Sequence, residues 1–208
     1  LQLREFHLKN RLHILWGNHD MVLKNPKKAE TLLATYFDKI KGTNEDLLPG
    51  LSLDEGIILE VEGFEKDILL IHGHQADFYN YVLWKWSRFL VRILWKPLQV
   101  VGIKDPTSPA KNFKELIKVE RRLKKWILAN NNQMVIAGHT HRPRFPEPNE
   151  LPYFNDGSCV HPRSITGIEI VDMKISLIKW HIISQKNGTL QIVKTILEGP
   201  TDIGLYLK

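Results

Sequence analysis

Three times in this chain a short apolar run gives way to a glycine-flanked loop of nitrogen-bearing side chains. Residues 12–16 run into Gly17-Asn18-His19-Asp20, residues 67–71 into His72-Gly73-His74, and residues 134–137 into Gly138-His139-Thr140-His141. Each run has the length and composition of a β-strand. A strand that ends in a polar, Gly-opened loop delivers its side chains to the carboxyl edge of a sheet, which is where open α/β sheets carry their sites. The pattern predicts an α/β protein with Asn18, His19, His72, His74, His139 and His141 at strand ends.

The rest of the chain supplies the elements around those strands. Residues 3–11 read as the end of a helix. Asn25 followed by Pro26 reads as an N-cap and first helical residue, and Leu32, Leu33, Tyr36, Phe37 and Ile40 repeat at helical spacing, which predicts a helix up to Gly42. Strands are predicted over 56–61 and 67–71 with Gly63 in the turn. Residues 79–96 read as a helix with Val82, Trp86, Phe89, Leu90 and Ile93 on one side and Lys85, Arg88, Arg92 and Lys96 on the other, stopped by Pro97. Ser108-Pro109 opens a further helix with Leu116, Ile117, Leu123, Trp126 and Ile127 in its apolar stripe. After Pro152 the pattern is β: strands over 153–154, 167–171, 175–182 and 190–196, with Asn187-Gly188 predicting a type I′ hairpin. With no internal repeat and no linker, residues 1–208 read as one domain carrying a helical insertion over about 77–132.

Composition narrows the class. Of 208 residues, 43% are hydrophobic and 25% charged, enough apolar surface for a core and too little bias for disorder. The single cysteine, Cys159, forms no internal disulfide and builds no Cys-based zinc site, so a cytoplasmic setting is expected. No apolar run approaches the roughly 20 residues of a membrane span, and the opening lacks the build of a signal peptide. The net charge of +6 is unevenly placed: residues 77–125 hold twelve Lys and Arg against four acids. Such a segment either meets phosphates, anionic lipid or nucleic acid, or is a solvated helix face. No nucleic-acid reader motif accompanies it.

The strand-end residues carry the chemistry. Imidazole nitrogens suit zinc, iron and manganese, and an Asn carbonyl oxygen is a harder ligand that leaves the cation's charge intact. That mixture suits a hydrolytic metal left open to water and phosphate. His139 and His141, two residues apart, can serve neighbouring ions if their loop curves. His7, His13, His161 and His181 stand outside these motifs and read as ordinary surface histidines.

Gly-Asn-His-Asp (17–20), His-Gly-His (72–74) and Gly-His-Thr-His (138–141), in that order, resemble the last three motifs of the calcineurin-like metallophosphoesterase family. Asn155-Asp156-Gly157-Ser158 resembles the Asn-x-Gly-Ser turn that follows them in many members. The resemblance implies a four-layer α/β/β/α sandwich and two divalent metal ions, of manganese, iron or zinc, that activate a water to attack phosphorus. Carried over by motif, Asn18, His72 and His139 are ligands of the second metal and His141 of the first. His19 stabilises the transferring phosphoryl group or protonates the leaving oxygen, and Asp20 orients His19. His74, Arg88 and Arg92 are expected at the substrate.

The family's motifs begin with Asp-x-His and Gly-Asp-x-x-Asp, whereas the first aspartate here is Asp20. Together with the absent initiating Met and the mid-helix opening, this predicts a fold truncated at its N-terminus, with a segment upstream of Leu1. The expected function is hydrolysis of a phosphate mono- or diester or a pyrophosphate; the alternative is a non-catalytic metal-binding or interaction domain that keeps the fold. An insertion between the second and third motifs resembles the lid that related UDP-diacylglucosamine hydrolases use for a lipid-linked pyrophosphate. The expected partners are therefore a phosphorylated small molecule or lipid-linked substrate, with Arg88 and Arg92 on a basic, amphipathic face suited to peripheral contact with an anionic membrane.

Overall fold

The structure, a computed structural model, describes residues 2–77 and 113–208. They group into two units, Leu1–Ile57 and Ile58–Lys208.

In the first unit, helix α1 (Gln2–Leu8) precedes strand β1 (Ile14–Leu15), and a 3₁₀ turn (Met21–Lys24) leads into helix α2 (Pro26–Leu33). The Asn25 side chain accepts the N–H groups of Lys27 and Lys28 at 3.0 and 3.4 Å, the capping that its place before Pro26 predicts. The helix predicted through Gly42 ends at Leu33. Residues Thr35–Asp38 form strand β2, antiparallel to β3 (Thr43–Asp46). Thr35, Tyr36 and Phe37 are β-branched or aromatic and favour a strand. The Asp38 carboxylate accepts N–H bonds from Ile40 and Lys41 at 2.8 and 3.2 Å, and Gly42 completes the turn at a φ of 71°. Ile40, predicted in the helical repeat, is 98% exposed at the hairpin tip. Strand β4 (Leu53–Asp54) lies parallel to β1, and Trp16, Met21, Ala29, Leu48 and Leu51 are buried.

A four-stranded sheet has the order β5 (Gly56–Leu59), β6 (Ile68–Ile71), β7 (Met134–Ala137), β8 (Tyr153–Asn155), with β6, β7 and β8 mutually parallel. Alternate residues serve opposite cores. Ile68, Leu70, Met134, Ile136 and Phe154 pack with Ile175, Ile203, Tyr206 and Leu207. Leu69, Ile71, Val135, Ala137 and Tyr153 pack instead with Val119, Leu123 and Ile127 of helix α3 (Phe113–Ala129). A strand buried on both faces reads as a continuous apolar run, which is why these strands stand out in the sequence. The first core is bounded by an antiparallel sheet of β9 (Ser164–Val171), β10 (Lys174–Ser184) and β11 (Leu190–Asp202), in the order β11-β10-β9. Helix, parallel sheet and antiparallel sheet thus form the α/β/β portion of the expected sandwich. Phe154 meets Phe145 and Tyr206 edge to face at 5.1 and 4.9 Å between ring centroids.

Further details bear on the sequence reading. Helix α3, predicted within an insertion, is a structural layer: parallel strands require a crossover, and α3 is part of the connection between β6 and β7. Burial of Val119, Leu123 and Ile127 contributes about 1.5–3 kcal/mol each, while Lys118, Arg121, Arg122 and Lys125 occupy its exposed face. The remainder of the basic segment, including the predicted helix at 79–96 with Arg88 and Arg92, lies outside the described residues. At the β10–β11 connection only Gly188 has positive φ, 81°, so Asn187-Gly188 is not a type I′ pair. The Asn187 side chain instead accepts the Thr189 N–H at 3.0 Å within a turn closed from Gln185 N–H to the Thr189 carbonyl at 2.8 Å. Among the described residues no helix is long and apolar enough to cross a membrane.

Candidate metal centre

The register of two parallel strands assembles the site. Ile71 of β6 lies opposite Ala137 of β7, so the residues after each strand, His72 and Gly138-His139, emerge side by side. The Gly138 N–H donates to the His72 carbonyl at 3.1 Å and ties the two loops together. Gly73 is required between them: its φ is 99°, and a Cβ there would lie 3.3 Å from both the Gly138 oxygen and the His139 Cβ.

Three imidazoles collect at this junction. Ring centroids are 5.0 Å apart for His72 and His74, 5.3 Å for His72 and His139, and 6.4 Å for His74 and His139. The Nδ1 atoms of His72 and His74 are 3.2 Å apart, and His139 Nε2 lies 3.2 Å from Asp77 Oδ2. His74, Asp77 and His139 are buried, His72 half-buried. Asp77 reaches this position through the 3₁₀ turn His74–Ala76, its N–H donating to the His74 carbonyl at 2.9 Å.

The loop after β7 is strained and then held. His139 and His141 have φ values of 66° and 56°, left-handed conformations that cost a non-glycine residue of the order of 1–3 kcal/mol each. The Thr140 N–H closes a three-residue turn on the Gly138 carbonyl at 2.7 Å. Fully buried Asn155, at the end of β8, keeps this shape. Its amide lies within donating distance of the Gly138 carbonyl (2.8 Å), Thr140 Oγ1 and Tyr153 Oη (both 3.2 Å), and its Oδ1 accepts the Gly157 N–H at 2.9 Å. Desolvation pushes the buried Tyr153 hydroxyl up to about 12, so it stays neutral and available for bonding. Asp156 keeps an exposed edge, yet the protein crowds its carboxyl enough for desolvation to raise it to about 6.

Of the residues singled out in the sequence, His72, His74 and His139 come together. His141 is exposed, its Nδ1 3.5 Å from Ser158 Oγ. His74, expected at the substrate, has no exposed surface and lies against His72. Asn18, His19 and Asp20 follow β1 in the first unit, where the Asp20 N–H donates to the Gly17 carbonyl at 3.0 Å and the Asp20 carbonyl accepts the Leu23 N–H at 2.7 Å. His19 and Asp20 are exposed and Asn18 half-buried. Arg88 and Arg92 lie outside the described residues. Two residues carry more than their sequence position indicates. Asn155 is visible only as part of the Asn-x-Gly-Ser turn, and Asp77, five residues beyond His72, only as one acid in a basic segment.

The donor types fit a first-row divalent ion, since imidazole is the common ligand of zinc, iron and manganese sites, and the strain at His139 and His141 is of the kind that clusters at functional sites. As arranged, no group of three or more His, Cys, Asp or Glu side chains among the described residues is disposed to hold a metal ion.

The family model for calcineurin-like phosphoesterases matches residues 1–143, and the chain belongs to that family. Among solved structures it is similar to a single mutant of Vps29 from Entamoeba histolytica, with 18% identity over 70% of this chain and 62% of that one at a TM-score of 0.32. It is also similar to Vacuolar Protein Sorting 29 from Cryptosporidium parvum, with 16% identity over 71% and 59% of the two chains and a TM-score of 0.31. Wild-type Vps29 of Entamoeba histolytica complexed with Zn²⁺ gives 17% identity, 74% and 67% coverage and a TM-score of 0.33. The chain thus spans 62% and 59% of the first two structures' lengths. No curated protein matches the chain.

Proposed function

We propose that this chain is a metal-dependent phosphoesterase that hydrolyses a phosphate mono- or diester or a pyrophosphate through a metal-activated water. One observation carries the reading: His72 and His139 stand side by side at the ends of adjacent parallel strands, on loops tied to each other. His72 and His139 are the proposed ligands of one divalent ion, with Asn18 added by its motif; His141 is the proposed ligand of a second. Manganese, iron or zinc held there supplies Lewis acidity to a phosphate oxygen and brings the pKa of water toward neutrality.

This chain's own residues do the remaining work. Asn155 holds the 138–140 loop in the conformation that presents His139. Exposed His19 is the proposed proton donor to the leaving oxygen, a role worth typically 10²- to 10⁴-fold in rate, and Asp20 is proposed to orient it. The substrate is proposed to be a phosphorylated small molecule or a lipid-linked phosphate, with Arg88 and Arg92 as its contacts at an anionic membrane surface on the cytoplasmic side.

The test is hydrolysis of bis(p-nitrophenyl) phosphate, p-nitrophenyl phosphate and pyrophosphate by the full-length protein, stripped with chelator and then resupplied with Mn²⁺. Activity on at least one substrate should vanish and return, and His139→Ala should lose at least about 100-fold. Hydrolysis indifferent to chelator and to His139→Ala would overturn the reading. Metal binding without turnover of any of the three would favour the non-catalytic domain.

A further inference from the structure

We propose that Asp77 is a positioning residue for His139, fixing its ring so that Nδ1 is the nitrogen presented to the metal. The inference rests on the metal-dependent reading above and deepens it.

Asp77 Oδ2 lies 3.2 Å from His139 Nε2, with the two side chains only 5% and 3% exposed. An ionised carboxylate only accepts, so the nitrogen facing it carries the proton. A neutral imidazole has one N–H and one lone pair, and placing the N–H at Nε2 puts the lone pair on Nδ1. Burial sharpens the choice: with Nε2 deprotonated, two acceptors would face each other where little water can intervene. A carboxylate behind a ligating histidine both selects the tautomer and raises the ring's basicity.

The backbone shows how the arrangement is made. His72 and Asp77 flank one tight turn, in which the Asp77 N–H returns to the His74 carbonyl. The loop carrying one proposed ligand therefore also supplies the carboxylate that orients the other, across the junction where the Gly138 N–H meets the His72 carbonyl. The pattern His-Gly-His-x-x-Asp over 72–77 is thus one device spanning two strands.

Asp77→Asn is the informative variant, because it keeps the shape but presents either an oxygen or an NH₂ to Nε2 and no longer dictates the tautomer. Zn²⁺ affinity of the full-length protein, measured by competition with a chromophoric chelator, should fall about 10- to 100-fold. Histidine-ring ¹⁵N spectra of the metal-free wild type should show His139 as the Nε2–H tautomer, and the variant should lose that preference. Asp77→Glu, which keeps the charge, should recover part of the affinity. Should Asp77→Asn not fold, the wild-type tautomer and the Asp77→Glu affinity still decide. An Nδ1–H tautomer in the wild type, or Asp77→Asn binding Zn²⁺ within threefold of wild type, would overturn the proposal while leaving the metal reading intact. A wild type that binds no Zn²⁺ would remove that reading, and this proposal with it.

Discussion

The amide nitrogen of Asn155 lies 2.8 Å from the carbonyl oxygen of Gly138, joining the end of β8 to the loop that carries His139. Through this bond and its neighbours to Thr140 and Tyr153, one fully buried side chain offsets the strain of a left-handed histidine. Replacing it by alanine leaves buried acceptors without their donor, each such loss costing about 1–3 kcal/mol. Asn155→Ala should therefore lower unfolding stability by roughly 2–4 kcal/mol, read as a drop in the urea midpoint. Asn155→Asp keeps the Gly157 bond but loses the donors, and should be nearly as damaging.

Gly73 makes a second, separable demand. Alanine there must adopt a φ of 99° and place its Cβ 3.3 Å from the Gly138 oxygen and His139 Cβ. Gly73→Ala should cost on the order of 1–3 kcal/mol by thermal or chemical denaturation and weaken Zn²⁺ binding, because relief requires the two loops to part. Gly188→Ala has a similar φ, but nothing lies within 4 Å of its Cβ. It should destabilise the hairpin without touching metal affinity.

Helix α3 tests the distinction between a structural layer and a surface insertion. Ile127 is fully buried between α3 and the parallel sheet. Ile127→Ala should cost about 2–5 kcal/mol in equilibrium unfolding. Trp126, 42% exposed on the same helix, should tolerate substitution by a polar residue at less than about 1 kcal/mol.

Acid titration of stability should show Asp156. Its folded-state pKa is raised to about 6 from an ordinary value of 3.8, so the folded state binds the proton more tightly than the unfolded one. Below about pH 4 the group is protonated in both states and burial carries no charge penalty. As pH rises from about 4 to about 6 the penalty develops, and stability falls. Relative to Asp156→Asn, the metal-free wild type should lose stability across that window and run parallel above it. Melting temperatures of both proteins from pH 4 to pH 8 check the sign.

The readable parts of this fold are those where a residue's neighbours in space impose a pattern along the chain. β6 and β7 are apolar without alternation because they separate two cores, and their glycine-flanked ends announce themselves. Asn25-Pro26 is equally plain, since a cap is satisfied within three residues. The β2–β3 hairpin was hidden because Leu33, Tyr36, Phe37 and Ile40 fit a helical stripe as well as a strand, and the Asp38 turn that decides the matter is a matter of three hydrogen-bonding atoms. Asp77 had no legible role, because its partner His139 is 62 residues away and only the pairing of β6 with β7 brings them together. Asn155 shared that limit: its residue type was visible in a turn motif, its three donor contacts were not.

Whether His72 and His139 together hold a divalent ion can be read directly. Crystals of the full-length protein equilibrated with Zn²⁺ and measured on both sides of the zinc absorption edge would locate it. The predicted result is an anomalous peak about 2.0–2.1 Å from the ring nitrogens of both His72 and His139. A saturated crystal whose anomalous peaks all lie away from these two residues would contradict it.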